Sequence, residues 1–446
     1  MARGSVAAGA AQSPVGVRDK PRLVHSGLTI PFILLITCFA AWGAAANLTD
    51  VLVGVFRHIF TMSNFESALV QFAYYGAYFT LAIPAALINR RFGYKVGVLT
   101  GLGLAAVGGL LFIPASSLLE FVPFLAGLFV LAAGMSILET SANPFVIAMG
   151  PEQSATQRLN LAQAFNPVGA NIGVLLGALI ILPNITPEAS KTIMSPAELE
   201  QSQEDDLALV LGPYLGIAAV LVLIWVLIAF RRMHTPAERS EEEGETRSGA
   251  FGRLWRNRHY RYGVAAQFFN VAAQVCAWSF TIQYARDVVG VSADDAGWYL
   301  QASLLLFLVA RFLMTYLLGK FRPTLLLLLM GALGVGLCLT AVFSQNMVGL
   351  IAVVGISLSL SLMFPTIYGV ALQGLGEDTK FGAAGLVMAI LGGALAPLAH
   401  GRVMDTAGAA AGFLVPAVCL AMVTCYALFD LRANPRGGEL VAEGAH

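Results

Sequence analysis

Apolar residues along this chain fall into long runs separated by short polar gaps. A helix needs about 20 predominantly apolar residues to cross a bilayer, and about twelve runs have that length. They cover residues 28–55, 65–88, 96–114, 121–149, 159–182 and 207–230, then 262–289, 297–318, 325–343, 348–372, 381–399 and 413–431. The fold class expected is all-α and polytopic. One long charged gap separates the sixth and seventh runs: it opens at Arg231 and Arg232, passes Glu241, and closes on Arg253, Arg256 and Arg258. The pattern predicts a tail over 1–26, a six-helix half over 27–231, a linker over 232–259, a second six-helix half over 260–432 and a tail over 433–446.

Composition supports the lipid assignment. The chain is 57% hydrophobic and 12% charged, against about 25% charged residues in soluble domains. The formal net charge is +0, so nucleic acid is not an expected partner. The first 25 residues hold no apolar core of a cleavable signal, so the first span is expected to target the chain to the membrane. Cys38, Cys276, Cys338, Cys419 and Cys425 lie in apolar runs without CxxC or Cys/His spacing. They read as small buried hydrophobes, not as a metal site or a disulfide framework.

The basic residues predict orientation. With the N-terminus inside, Arg18, Lys20, Arg22, Arg90, Arg91, Lys95, Arg158, the linker arginines, Lys320, Arg322, Lys380 and Arg432 share its side, while Arg57, Lys191, Arg286 and Arg402 face the other. Lys and Arg concentrate in cytoplasmic loops, so both termini are expected in the cytoplasm. The halves also echo each other. The turn after span two reads Arg91-Phe-Gly-Tyr-Lys95 and the turn after span eight reads Lys320-Phe-Arg-Pro-Thr324; Asn143-Pro144 in span four is matched by Phe364-Pro365 in span ten. Matching breaks in corresponding spans point to a transporter with a site near the bilayer midplane.

Few ionisable residues lie inside the spans, and Asp50, Glu139 and Arg311 are the clear cases. A carboxylate at Glu139 costs roughly 2.5–3.5 kcal/mol on insertion scales, which makes it a candidate functional acid. Asn143 lies one turn on and shares its face; Asn47 and Asp50, three apart, also share one. Asn160, Gln163 and Asn166 recur at three-residue steps and predict a polar stripe on span five. Span seven carries Gln267, Asn270, Gln274 and Trp278 along one face. Amides beside an aromatic plate suit a neutral polyol, whose hydroxyls bond in the ring plane while its C–H face stacks. The other use of such amides is to join helices. Arg311 has no carboxylate in its own span, leaving snorkelling, backbone carbonyls or an acid on another helix as its partners. Tyr368 and Gln373 follow the Phe364-Pro365 break as further cavity candidates, and His400 reads as structural or interfacial. No phosphate loop, nucleophile elbow or His cluster is present, so neither enzyme chemistry nor a cofactor is expected.

The six-plus-six arrangement looks like the major facilitator superfamily. Arg91-Phe-Gly-Tyr-Lys95 keeps that family's basic-x-Gly-x-basic turn, but Arg90 stands where the family usually has Asp. More specific strings resemble the fucose–proton symporter family, which includes glucose/galactose transporters: Ala46-Asn-Leu-Thr-Asp50, Gly-Met-Ser-Ile-Leu-Glu-Thr-Ser-Ala-Asn-Pro over 134–144, Arg158-Leu-Asn-Leu-Ala-Gln-Ala-Phe-Asn166 and Gly376-Glu-Asp-Thr-Lys380. The resemblance implies an importer of a monosaccharide (glucose, galactose or fucose) in a bacterial inner membrane, acting by alternating access and proton symport. It places the two essential carboxylates on Asp50 and Glu139, and span-five sugar contacts on Gln163 and Asn166. The expected substrate-binding set is Asn47, Glu139, Asn143, Gln163 and Asn166 from the first half, with Asn270, Gln274, Trp278 and Tyr368 from the second. The expected partners are a sugar and the lipid bilayer, and the expected state is a monomer. Two alternatives stay open: sodium (Na+) instead of H+ as the coupling ion, and export of a drug or metabolite by proton antiport. The amide stripes disfavour the second.

Overall fold

The structure is a computed structural model and describes residues 23–59, 64–118, 121–186, 194–233 and 249–433. The described residues are helical, with no strand among them. The first half contains α1 (Thr29–Ile59), α2 (Asn64–Phe92), α3 (Tyr94–Leu110) with its short extension α4 (Phe112–Leu118), α5 (Phe121–Ala148), α6 (Ala155–Gln163) continued by α7 (Asn166–Leu176), and α8 (Pro196–Ala229). A short helix α9 (Ala250–Arg256) leads into the second half. That half contains α10 (Arg258–Asp287), α11 (Ala293–Leu318), α12 (Pro323–Ser344), α13 (Met347–Leu360) continued by α14 (Met363–Ala371), α15 (Thr379–Met388) continued by α16 (Gly392–Ala407), and α17 (Leu414–Ala433). Each expected run thus has its helical passage.

Ten of these passages are long and apolar enough to cross a membrane by length and hydropathy, over the described residues. The passages of α2 and α10 are not among the ten. Both are long, but α2 carries Tyr74, Tyr75 and Tyr78, and α10 carries Gln267, Asn270 and Gln274. Their low hydropathy reflects helices that turn polar groups to the protein interior instead of to lipid.

Two breaks follow from proline. Proline has no N–H for the carbonyl four residues earlier. Span five turns at 164–165, just before Pro167, and span ten turns at 361–362, before Pro365. Pro144, expected to kink span four, does not interrupt it: α5 is continuous over Phe121–Ala148. The carbonyl that Pro144 leaves unpaired, that of Thr140, instead accepts a hydrogen bond from Asn89 Nδ2 of α2 at 3.3 Å.

Glycine sets how closely α5 approaches its neighbour. A Cβ at Gly134 would fall 2.2 Å from the backbone nitrogen of Ala105, and one at Gly101 would fall 2.5 Å from that of Leu138. Helices α3 and α5 therefore touch backbone to backbone, as small residues permit in membrane proteins. This contact holds the Glu139 helix in place.

One end of the bundle carries the flanks of the linker, and we call it the linker face. Lys95 Nζ donates there to the carbonyls of Ala229 and Arg231, at 2.9 and 2.7 Å, closing the C-terminus of α8. Arg253 of α9 makes a two-pronged pair with Asp378 at 2.7 and 2.6 Å, and this carboxylate holds its guanidinium above the ordinary arginine value. Asp430 accepts from Thr324 Oγ1 at 2.6 Å and lies 3.3 Å from His259. Arg158, counted among the loop charges from sequence, is instead wholly buried. Its guanidinium donates to the carbonyls of Val146, Ile147, Gly150, Pro151 and Leu23 and to Ser154 Oγ, capping the end of α5.

The halves meet through α2 and α5 against α15, and through α6 against α14 and α11. Near the linker face, the Arg90 guanidinium stands 5.6 Å from the Phe381 ring centre, and Lys380 Nζ stands 5.3 Å from that of Tyr94. So the position where the family usually carries Asp contributes a cation–π contact between the halves. All five cysteines are free; four are buried, but Cys425 is exposed, contrary to expectation. His400 is buried flat against Phe280, with ring centres 4.0 Å apart.

A buried polar site between the halves

Glu139 sits about two-thirds of the way along α5 and is 1% exposed. Neither carboxylate oxygen has a hydrogen-bond partner among the described residues. A lone charge so placed is strongly unfavourable, and binding a proton or a hydrogen-bonding ligand relieves it. One turn on, Asn143 Oδ1 accepts from Gln163 Nε2 at 2.7 Å. Asn143 Nδ2 is left buried without a partner. The structure thus places Gln163 on Asn143, one turn from Glu139.

Two tyrosines complete the surroundings. Tyr368 of α14 is fully buried and lies within interaction range of Glu139 and Asn143; its Oη also donates to the Ala383 carbonyl at 3.5 Å. Tyr78 of α2 lies within range of Glu139 and accepts from Trp42 Nε1 at 2.8 Å. Sequence reasoning missed Tyr78 and Trp42. The available signal was Tyr74 and Tyr78 at a four-residue step on an otherwise apolar span.

The span-five stripe is not one surface. The helix turns at 164–165, so its three amides diverge. Asn160 Nδ2 donates across the interface to Thr366 Oγ1 at 3.2 Å, Gln163 turns to Asn143, and Asn166 Nδ2 reaches the Phe39 carbonyl of α1 at 3.4 Å. Three-residue spacing predicted one face because it assumed an unbroken helix. Asn47 donates back to its own helix, to Gly43 O at 3.1 Å. The side chain of Asp50 lies outside the described residues; its backbone belongs to α1.

In the second half, Gln267 and Asn270 are fully buried, and all four of their side-chain polar atoms lack partners. Gln274 and Trp278 are half-buried on the same helix. The indole N–H of Trp278 donates to Ser357 Oγ at 3.0 Å, and its ring meets Phe307 edge-on with centres 5.0 Å apart. The indole therefore offers its ring, and not its N–H, to a ligand. Buried polar groups are nearly always paired in native structures. Here unpaired groups recur at Glu139 and Asn143 on α5 and at Gln267 and Asn270 on α10, as they do at Asn160, His259, Arg261, His400 and Tyr426; the acid and the amides are of the kind that bonds a ligand's hydroxyls.

Arg311 of α11 takes the backbone option. Its Nε donates to Ser361 O at 2.8 Å and its Nη1 to Gln163 O at 2.9 Å, while the guanidinium stands 4.8 Å from the Phe307 ring centre.

Two broken-helix halves, the first carrying a buried acid with its amides and the second bringing Tyr368 within range of them, define the class: a two-half membrane carrier. Known proteins agree with that geometry. Residues 33–397 match the family model of the Major Facilitator Superfamily. The L-fucose-proton symporter of Escherichia coli (strain K12) is 39% identical over 419 residues, covering 92% of this chain and 95% of the relative. The glucose/galactose transporter of Brucella abortus biovar 1 (strain 9-941) is 33% identical over 401 residues, covering 90% of this chain and 93% of the relative. The crystal structure of FucP, a major facilitator superfamily transporter, in the outward conformation superposes with a TM-score of 0.85 at 38% identity, covering 90% of this chain and 98% of that one. The chain belongs to the major facilitator superfamily and, within it, to the fucose–proton symporter family.

Proposed function

We propose that this protein imports a neutral monosaccharide together with a proton, by alternating access between its two halves. The observation that carries this reading is Glu139: a buried acid without a partner, one turn from an asparagine oriented by Gln163. Sugar enters from the face opposite the linker and meets Asn143, Gln163 and Tyr368 on one side and Gln267, Asn270, Gln274 and Trp278 on the other. Protonation of Glu139 removes the charge that resists closure of a dry interface around it. Asp50 is the second titrating group, on the proton route. The linker face is the cytoplasmic one, both termini lie in the cytoplasm, and the chain acts as a monomer in a bacterial inner membrane. Its resemblance to L-fucose and glucose/galactose carriers supports a hexose or 6-deoxyhexose as cargo. No catalytic step is involved.

The test is uptake of L-fucose, D-galactose and D-glucose into proteoliposomes under separately imposed proton and sodium gradients. Accumulation driven by the proton gradient alone is expected. Accumulation driven only by sodium would replace the coupling ion, and no uptake of any hexose would overturn the substrate class.

A further inference from the structure

Arg311 has two backbone partners, and both are carbonyls orphaned by proline. In a continuous helix Gln163 O would accept from the N–H of residue 167, and Ser361 O from that of residue 365. Both positions are proline, so neither bond can form. Gln163 belongs to the first half and Ser361 to the second. A single guanidinium on α11 fills both gaps, at 2.9 and 2.8 Å, while only 4% exposed.

We propose that Arg311 is the latch that holds the linker face shut, and that its bond to the Gln163 carbonyl breaks whenever the site opens to that face. The bond to Ser361 stays within one half and moves with it. The bond to Gln163 crosses between the halves and does not survive their separation there. Guanidinium is suited to this task because its rigid fork presents several donors in fixed directions. Gln163 serves both ends of the coupling: its carbonyl receives the latch, and its side chain orients Asn143 beside Glu139. A ligand that shifts the Gln163 backbone is therefore felt by the latch. Arg311 is a positioning residue, reaching the sugar site through Gln163 and, by way of the Phe307 ring, through Trp278. The inference rests on the alternating-access reading but not on the identity of the sugar.

The test uses a cysteine reporter at the sealed contact. Thr156 on α6 is 3% exposed and packs against Gly369 of α14. The protein carries Thr156→Cys with its five native cysteines replaced, in nanodiscs without sugar, and labelling by a polar maleimide is timed. Arg311→Ala is expected to speed labelling about tenfold, the effect of losing one charge-assisted hydrogen bond. Arg311→Lys should give a smaller increase, because a compact ammonium replaces the fork. Pro167→Ala supplies an independent arm that keeps Arg311. It restores an N–H that competes for the Gln163 carbonyl, so labelling should again accelerate. Unchanged labelling in both Arg311→Ala and Pro167→Ala overturns the latch. If Arg311→Ala does not fold, Pro167→Ala decides alone: acceleration supports the latch, and an unchanged rate sinks it. Accelerated labelling in a protein that accumulates no hexose would leave the latch standing and remove the sugar reading.

Discussion

The side-chain amide of Gln163 donates to Asn143 Oδ1 at 2.7 Å, joining the end of α6 to the helix that carries Glu139. This bond fixes which way Asn143 points: its oxygen is engaged, and its NH₂ is left without a partner one turn from the acid. Gln163→Leu should therefore raise the Kd for sugar by roughly tenfold, the cost of one lost buried hydrogen bond. Isothermal titration of purified protein checks it. An affinity equal to wild type would mean that the Gln163–Asn143 pair only joins helices.

Glu139→Gln keeps the shape and removes the charge. Concentrative, proton-driven uptake should fall to background while sugar exchange across the membrane survives, because exchange needs no net proton movement. Asp50→Asn should likewise abolish accumulation. Counterflow and gradient-driven uptake in the same liposomes separate the two activities. Full accumulation by both variants would end the proposed coupling mechanism.

The Trp278 indole N–H is already engaged by Ser357, which divides its two possible contributions. Trp278→Phe retains an aromatic plate and should bind sugar within about threefold of wild type. Trp278→Ala should weaken binding about five- to tenfold, the scale of an aromatic contact. Equal affinities for the two variants would remove the plate from the site.

Arg158 is a prediction about stability. Its guanidinium serves five carbonyls and a hydroxyl in a wholly buried position. Arg158→Ala leaves several acceptors unpaired and should cost about 3 kcal/mol or more. A thermal unfolding curve in detergent would show it, with Arg158→Lys recovering part of the loss. A Tm within one or two degrees of wild type would mean that water replaces the cap freely.

Much of this architecture was legible in advance because a membrane span depends on a local property. Transfer of some 20 side chains from water to lipid is summed along the chain, so the runs could be counted and halved without knowing how they pack. The isolated acid at Glu139 was legible for the same reason. The two shortfalls are instructive: α2 and α10 fall outside the hydropathy criterion because they line the protein interior. Proline positions were legible too, and with them the carbonyls left unpaired at Thr140, Gln163 and Ser361.

What fills those carbonyls was not legible. Asn89 and Arg311 lie far away in sequence from the carbonyls they satisfy, and only packing brings donor and acceptor within 3 Å or so. The same holds for the amides. Asn160, Gln163 and Asn166 have equivalent spacing and chemistry, yet the turn at 164–165 sends one to the other half, one to the acid's neighbour and one to α1. By itself the sequence determined how many times this protein crosses the membrane and which carboxylate is costly to bury. Tertiary structure alone decided which polar groups pair with one another and which remain free for a ligand, because hydrogen bonding requires directed contact over short distances that hydropathy and spacing do not encode.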